Sequence, residues 1–329
     1  MLTKKRLAGL TILMSVLFFI LLLLLHENLL GPRTESYLLF APKIAFLSIT
    51  AAITIAMVLI LIFKQTFVKW QKYSFQKYRY LLINLVKRDF KSRYRKSVLG
   101  VLWSLLNPLL TMLVMTIVFS QLFRFQIPHY PVYLLSGQII YLFFNEATNK
   151  AMTSVIFAEG IIKKVYVPKY IFPVSNILSS LINLMFSFAA FFLVLLIHVL
   201  FMDAPIYWTI LLVPIPLFYI FIFTLGIGML MSSMAVFFRD LTYLYGVMLL
   251  LLMYLTPIFY PAEIIPEQFQ PFIGLNPLYQ FITYFRSLTL DGVIPGLWAN
   301  VVCLGFALAA LCCGTYVFMV KQDRYILHM

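Results

Sequence analysis

The stretch RDFKSRYRKSVLGVLWSLLNPLL, Arg88 to Leu110, decides the fold. Its first nine residues hold five cations, Arg88, Lys91, Arg93, Arg95 and Lys96, and the fourteen that follow hold no charge. Such a step from cationic to apolar marks the passage of a chain from a water-facing surface into a bilayer. Upstream, the residues from Lys77 to Lys96 place Leu81, Leu82, Leu85, Val86 and Phe90 on one half of a helical wheel. Lys87, Arg88, Lys91 and Arg95 fall on the other half, so an amphipathic helix lying on the membrane surface is predicted over 76–97. Asp89 lies toward the apolar side, one turn before Arg93, where it forms an i,i+4 ion pair or meets a partner subunit. Downstream, Val98–Phe123 is long enough to cross a bilayer, which needs about 20 apolar residues.

The same reading extends to the whole chain. Of 329 residues 63% are hydrophobic and 11% charged, against about half and about a quarter in a soluble domain, which excludes an ordinary water-soluble enzyme. Eight apolar stretches qualify as spans: Leu7–Leu25, Ile44–Phe63, Val98–Phe123, Val132–Ala151, Ile171–Phe201, Tyr207–Phe238, Leu241–Tyr260 and Leu297–Val320. The fifth and sixth exceed a straight crossing, so tilt or a bend near Pro214 and Pro216 is expected. The first is too long for a secretory signal, and His26-Glu27-Asn28 follows it where small residues would precede cleavage.

The excess of 25 Lys plus Arg over 11 Asp plus Glu is explained by topology, and nucleic acid is not an expected partner. With the N-terminus inside, 21 cations fall on the cytoplasmic side: Lys4, Lys5, Arg6, eleven from Lys64 to Lys96, Lys150, Lys163, Lys164, Lys169, Arg239, Lys321 and Arg324. Arg33, Lys43, Arg124 and Arg286 remain outside. Both termini are therefore expected in the cytoplasm and the protein in the cell membrane.

Two further segments stand out. FAEGIIKKVYVPKYIFP, between the fourth and fifth spans, allows about two helical turns from Glu159 to Val165, and Pro168 and Pro173 keep it from merging with the next helix. A short amphipathic helix held between two spans reads as a lever or as an ordinary cationic loop. Pro261–Pro295 is punctuated by prolines yet rich in Phe, Ile and Leu, so it is expected to fold as short helices dipping back toward the outer leaflet, as a gate or a cap.

Several chemistries are excluded or weak. None of the 13 Gly is followed by Lys, so the phosphate-cradling Gly-Lys-Ser/Thr loop of nucleotide hydrolases is missing. Cys303, Cys312 and Cys313 have no metal-ligand or disulfide spacing, and the four His are scattered, so no metal site is expected. The acidic residues expected outside form no catalytic pattern. Of the spans, only Val132–Ala151 presents an ionisable group suited to coupling, Glu146, near Asn145 and Asn149.

Taken in order, Arg88–Leu110, EGIIKKVYVPKYIFP (Glu159–Pro173), MAVFFRDL (Met234–Leu241) and NPLYQFITYFR (Asn276–Arg286) resemble the permease of type 2 ABC exporters of O-antigen, capsule and teichoic acid. The resemblance runs from about Tyr78 to Val320. It implies an all-α polytopic protein: a six-helix core over 98–329, preceded by the interface helix at 76–97 and by a two-helix module with a basic linker at 1–75 that the family pattern does not account for. It also implies a homodimer with two separate ATPase subunits that bind ATP and Mg, no cofactor in this chain, and cargo in the form of an undecaprenyl-linked polysaccharide or polyol-phosphate polymer.

By residue match, a coupling helix near 157–168 presents Glu159, Gly160, Ile161, Ile162, Lys163 and Lys164 to the ATPase, and exit-side gate helices lie near 266–288. Lys87, Arg88, Asp89, Arg93 and Arg95 meet a substrate pyrophosphate or anionic lipid headgroups. Aromatic and polar side chains suit a sugar path, and Tyr141, Phe144, Asn145, Glu146, Tyr254 and Tyr260 are the path residues expected. A type 2 permease for drugs or lipids, and a membrane-embedded glycosyl- or acyltransferase, are the alternatives.

Overall fold

The computed structural model describes residues 78–95, 99–122, 127–165, 167–202, 204–266 and 268–325. The two-helix module and linker expected over 1–75 lie outside the described residues, as do Lys77 and Lys96. Every regular element among the described residues is helical.

The amphipathic segment forms helix α1, residues 78–94. Leu82 and Leu85 are buried, Leu81, Val86 and Phe90 half-buried, and Lys87, Arg88, Lys91, Arg93 and Arg95 exposed, which reproduces the two halves of the helical wheel. Gly100 then takes φ +49°, a left-handed turn that glycine adopts without strain. A 3-10 turn, Gly100–Leu102, leads into α2, Trp103–Ile117. Pro108 lies inside α2 and cannot donate to the Ser104 carbonyl one turn back.

The remaining helices are α3 (Tyr130–Phe157), α4 (Glu159–Ile162), α5 (Ile171–Met202), α6 (Pro214–Phe237), α7 (Leu241–Leu255), α8 (Gln270–Gly274), α9 (Pro277–Thr289) and α10 (Leu297–Lys321). Four helical runs among the described residues are long and apolar enough to cross a membrane: Gly100–Ser120, Ile171–Met202, Trp208–Phe237 and Leu297–Arg324. α7 is apolar but shorter. α3 has 28 residues, and Gln138, Asn145, Glu146 and Asn149 lower its hydropathy. The bend expected near Pro214 and Pro216 is a change of helix type: a 3-10 turn over Trp208–Leu212 ends at Val213, and α6 begins at Pro214. Proline suits that first helical position because its missing N–H has no partner there.

The centre of the fold is α3, which packs on α5 and α6, with α9 closing one end. Leu134, Leu135, Ile139 and Ile140 of α3 are buried with Phe191 of α5, Ile220 of α6 and Phe281 and Phe285 of α9. α6 and α10 share the most extensive contact. A Cβ on Gly314 would lie 1.9 Å from the Gly226 carbonyl oxygen, and one on Gly226 would lie 2.2 Å from the Ala310 carbonyl carbon. Only glycine at both positions lets the two backbones meet.

α2 and α7 are peripheral. Pro108 is the buried residue of α2, and Tyr245 and Leu249 are those of α7. Leu110, Leu113, Val114 and Ile117 of α2 and Val247, Met248, Leu251 and Tyr254 of α7 are exposed. Apolar faces of that extent belong against lipid or another protein, as expected of an integral membrane protein.

The apolar segment 261–295 contains the short helices α8 and α9, and α9 is a core element. Phe281, Ile282, Phe285 and Leu288 are fully buried, and Asn276 caps its N-terminus by accepting from the Leu278 amide at 3.0 Å. At the opposite end, a second apolar cluster joins Leu82 and Leu85 of α1, Ala158 and Ile162 around α4, Phe172 of α5, Val236 of α6, Phe318 of α10 and Tyr325.

Candidate functional site

A cavity of about 510 Å³ opens where α1 meets α2, α3 and α5. Arg93 and Tyr94 line it from α1, Ser104 and Asn107 from α2, Asn145 and Glu146 from α3, and Ser180 and Asn183 from α5. Four donors converge on one oxygen, Glu146 Oε1: Arg93 Nη2 and Lys150 Nζ, each at 2.5 Å, Asn183 Nδ2 at 2.8 Å and Ser180 Oγ at 3.2 Å. Lys150 reaches it from one turn further along α3, while Arg93 reaches it from a different helix.

Tyr94 adds a second tie between elements, donating to Asn183 Oδ1 at 3.0 Å and pairing with the Ser104 hydroxyl. Along α3, Asn149 donates to Asn145 Oδ1 at 2.7 Å and Asn145 donates to the Tyr141 hydroxyl at 3.2 Å. The polar residues of α3 therefore form two separate sets: Glu146 is tied to α1 and α5, and Asn145 and Asn149 bond along α3 to Tyr141.

The ion pair expected between Asp89 and Arg93 is not made. Asp89 takes Arg88 Nη2 at 3.1 Å, and Arg93 turns to Glu146 of α3 at 2.5 Å. Lys87 and Arg95 stay on the exposed face of α1. Arg88 and Asp89 instead border a neighbouring groove of about 470 Å³, shared with Lys150, Phe157, Ile161 and Asn176.

The structure separates the expected path residues into three groups. Asn145 and Glu146 line the cavity. Tyr141 and Phe144 are only 3% exposed. Tyr141 donates to the Leu249 carbonyl of α7 at 2.7 Å, and Phe144 stacks on Phe223 of α6, so both hold the chain's own helices together. Tyr254 is exposed on α7, and Tyr260 donates to its carbonyl at 2.7 Å. An aromatic in a helix reads the same in sequence whether it faces a neighbour or an opening.

At the α4 end, the helix is one turn, Glu159–Ile162, extended by turn hydrogen bonds to Val165, shorter than two full turns. Lys163 pairs with Glu159 at 2.5 Å. Ile162 is buried in the apolar cluster, while Phe157, Ile161 and Val165 are exposed. A Cβ on Gly160 would meet open space, and Lys164 is exposed. This surface therefore offers an apolar edge flanked by cations. Lys169 donates to the Gln322 carbonyl and lies over the Tyr325 ring. Burial lowers its pKa below the usual lysine value, with Asp323 opposing.

One residue with a site-like environment enters the sequence reading as an outside cation and as the end of the Asn276–Arg286 element, with no role of its own. Arg286 of α9 is buried, its guanidinium 3.6 Å from the Tyr133 ring centre. It donates to Ser136 Oγ and to the carbonyls of Pro257, Ile258 and Tyr133 at 2.9–3.2 Å. A cation inside an otherwise apolar helix was the available signal. Its acceptors, mostly backbone carbonyls, carry no signature in sequence.

A family model described as ABC-2 type transporter matches residues 80–290. The chain belongs to the ABC-2 type transporter family. In this ABC-2 chain the matched stretch contains the whole cavity, the α4 turn and Arg286. The chain is similar to an O-antigen export system permease protein RfbA of Klebsiella pneumoniae, 31% identical over 246 residues, 74% of this chain and 93% of the relative. The Myxococcus xanthus RfbA is 27% identical over 250 residues, 75% and 95%. The polysialic acid transport protein KpsM of Escherichia coli is 23% identical over 255 residues, 74% and 93%. Among the described residues no group of His, Cys, Asp and Glu is placed to hold a metal ion.

Proposed function

We propose that this ABC-2 chain is the membrane permease of an ATP-driven exporter that moves an undecaprenyl-linked polysaccharide or polyol-phosphate polymer out of the cytoplasm. The observation that carries the reading is its similarity, over 93–95% of their own length, to relatives named for O-antigen and polysialic acid export.

In this reading two separate ATPase subunits bind ATP and Mg and seat the α4 turn, Glu159–Lys164, against the exposed edge of Phe157, Ile161 and Val165. Ile162 shares one apolar cluster with Leu82 and Leu85 of α1 and with Tyr325. A push on α4 therefore moves the interface helix and the end of α10 together, since a close-packed cluster transmits displacement. The apolar faces of α2 and α7 suit a second copy of the chain, with Tyr254 and Tyr260 toward the polymer, where ring faces stack on sugar C–H faces. The exposed cations of α1 lie along the cytoplasmic headgroup layer, both chain termini being on that side.

Depletion of the protein is expected to make undecaprenyl-linked polymer accumulate inside the cell, measured by extracting lipid-linked glycans. Normal levels with unchanged surface polymer would remove the polysaccharide reading in favour of drug or lipid export. Failure of an ATPase to co-purify would instead favour a membrane-embedded transferase.

A further inference from the structure

Glu146 Oε1 is an unusual acceptor for a residue in the middle of a long core helix. Two cations and two neutral donors share it. Arg93 and Lys150 together carry one more positive charge than Glu146 removes, and all three are about one-third exposed to the cavity. An unmatched positive charge in a partly enclosed cavity attracts an anion more strongly than one in open water, because the effective dielectric there is below that of water. Arg and Lys both sit on long flexible stems and can turn to a new acceptor. Glu146 would keep Asn183 and Ser180 as donors when the cations leave, so its carboxylate stays hydrogen-bonded.

We propose that this cavity is a phosphate-type anion site, in which a mono- or diphosphate group exchanges with Glu146 for Arg93 and Lys150. The exchange is also a latch. Arg93 belongs to α1 and Glu146 to α3, so an anion that draws Arg93 away breaks the ion pair holding the interface helix to the core. Tyr94, bonded to Asn183 and paired with Ser104, remains as the pivot. The assignment of the anion to the exported cargo rests on the export reading above. The site itself rests on the geometry alone, and a lipid headgroup phosphate has the same chemistry.

The test uses the purified full-length chain in phosphatidylcholine nanodiscs, titrated with farnesyl diphosphate and with farnesol, and read by quenching of tryptophan fluorescence, Trp103 lining the cavity. Farnesyl diphosphate is expected to bind and farnesol not. Arg93→Gln and Lys150→Gln should each weaken binding about tenfold, the loss of one charge-assisted hydrogen bond. Glu146→Gln, which keeps an oxygen for Asn183 and Ser180 but releases the cations, should tighten it several-fold. Arg93 is partly exposed near the end of α1, so Arg93→Gln serves as the second variant if Glu146→Gln is not recovered folded. Unchanged or weaker binding by folded Glu146→Gln, unchanged binding by Arg93→Gln, or equal binding of farnesol would overturn the site. Repeating the titration in phosphatidylglycerol nanodiscs separates the two sources. Competition by that lipid would keep the anion site and overturn its assignment to cargo, whereas glycan accumulation on depletion tests the export reading independently.

Discussion

Arg286 shows how one side chain can organise an end of the molecule. Its guanidinium stacks on Tyr133 and bonds the carbonyls of Pro257 and Ile258 just after α7, so a single cation ties α3, α9 and the chain following α7. Lysine would keep the charge but lose the planar fork and the stack. Arg286→Lys is expected to cost about 2–3 kcal/mol through carbonyls left short of donors, measured as a lower melting temperature in detergent. Gly137→Ala should act in the same direction, since its Cβ would lie 2.9 Å from Arg286 Nη2. Legibility at this scale was uneven. Glu146 stood out in sequence because an acid in an apolar helix is rare, but its bond to Arg93, 53 residues away, could not be read from spacing. Spacing alone paired Arg93 with Asp89, the nearest acid one turn back.

Helices differ in how much of their role their own sequence carries. The amphipathic pattern of α1 predicted which residues are buried, because a helix at an interface has one apolar side. The run 207–238 contained both its span and its break, because proline fixes where a helix can begin. The union of α6 and α10 was not visible, since glycine at 226 and 314 looks the same in sequence whether it packs or bends. Gly314→Ala is expected to push the two backbones apart and cost about 1–3 kcal/mol, seen as less folded protein in size-exclusion profiles. The apolar content of segment 261–295 is visible in sequence, but the burial of α9 against α3 and α6 depends on contacts distant in sequence.

Across the whole molecule the two apolar clusters divide the work. The larger one holds α3, α5, α6 and α9, and the smaller one collects α1, α4, the end of α10 and Tyr325. Tyr325 is fully buried against Phe318 and Phe237, so Tyr325→Ala should remove about 3–5 kcal/mol of packing from that cluster. Limited trypsin digestion is expected to cut within 78–95 faster in this variant, because α1 loses part of its seat. Unchanged cleavage would show that α1 is held without Tyr325, by the other residues of the cluster together with Arg93 and Tyr94. The amino-acid sequence by itself determined the membrane class, the amphipathic helix, the helical runs that follow it and the family, because these rest on local periodicity, on apolar length and on motifs in order. Tertiary structure alone decided which polar residues meet in the cavity, which aromatics are packing and which are open, and that α1, α4 and Tyr325 share one core. Those outcomes depend on residues far apart in the chain becoming neighbours, and the energy of a buried charge or of a close backbone contact exists only once they do.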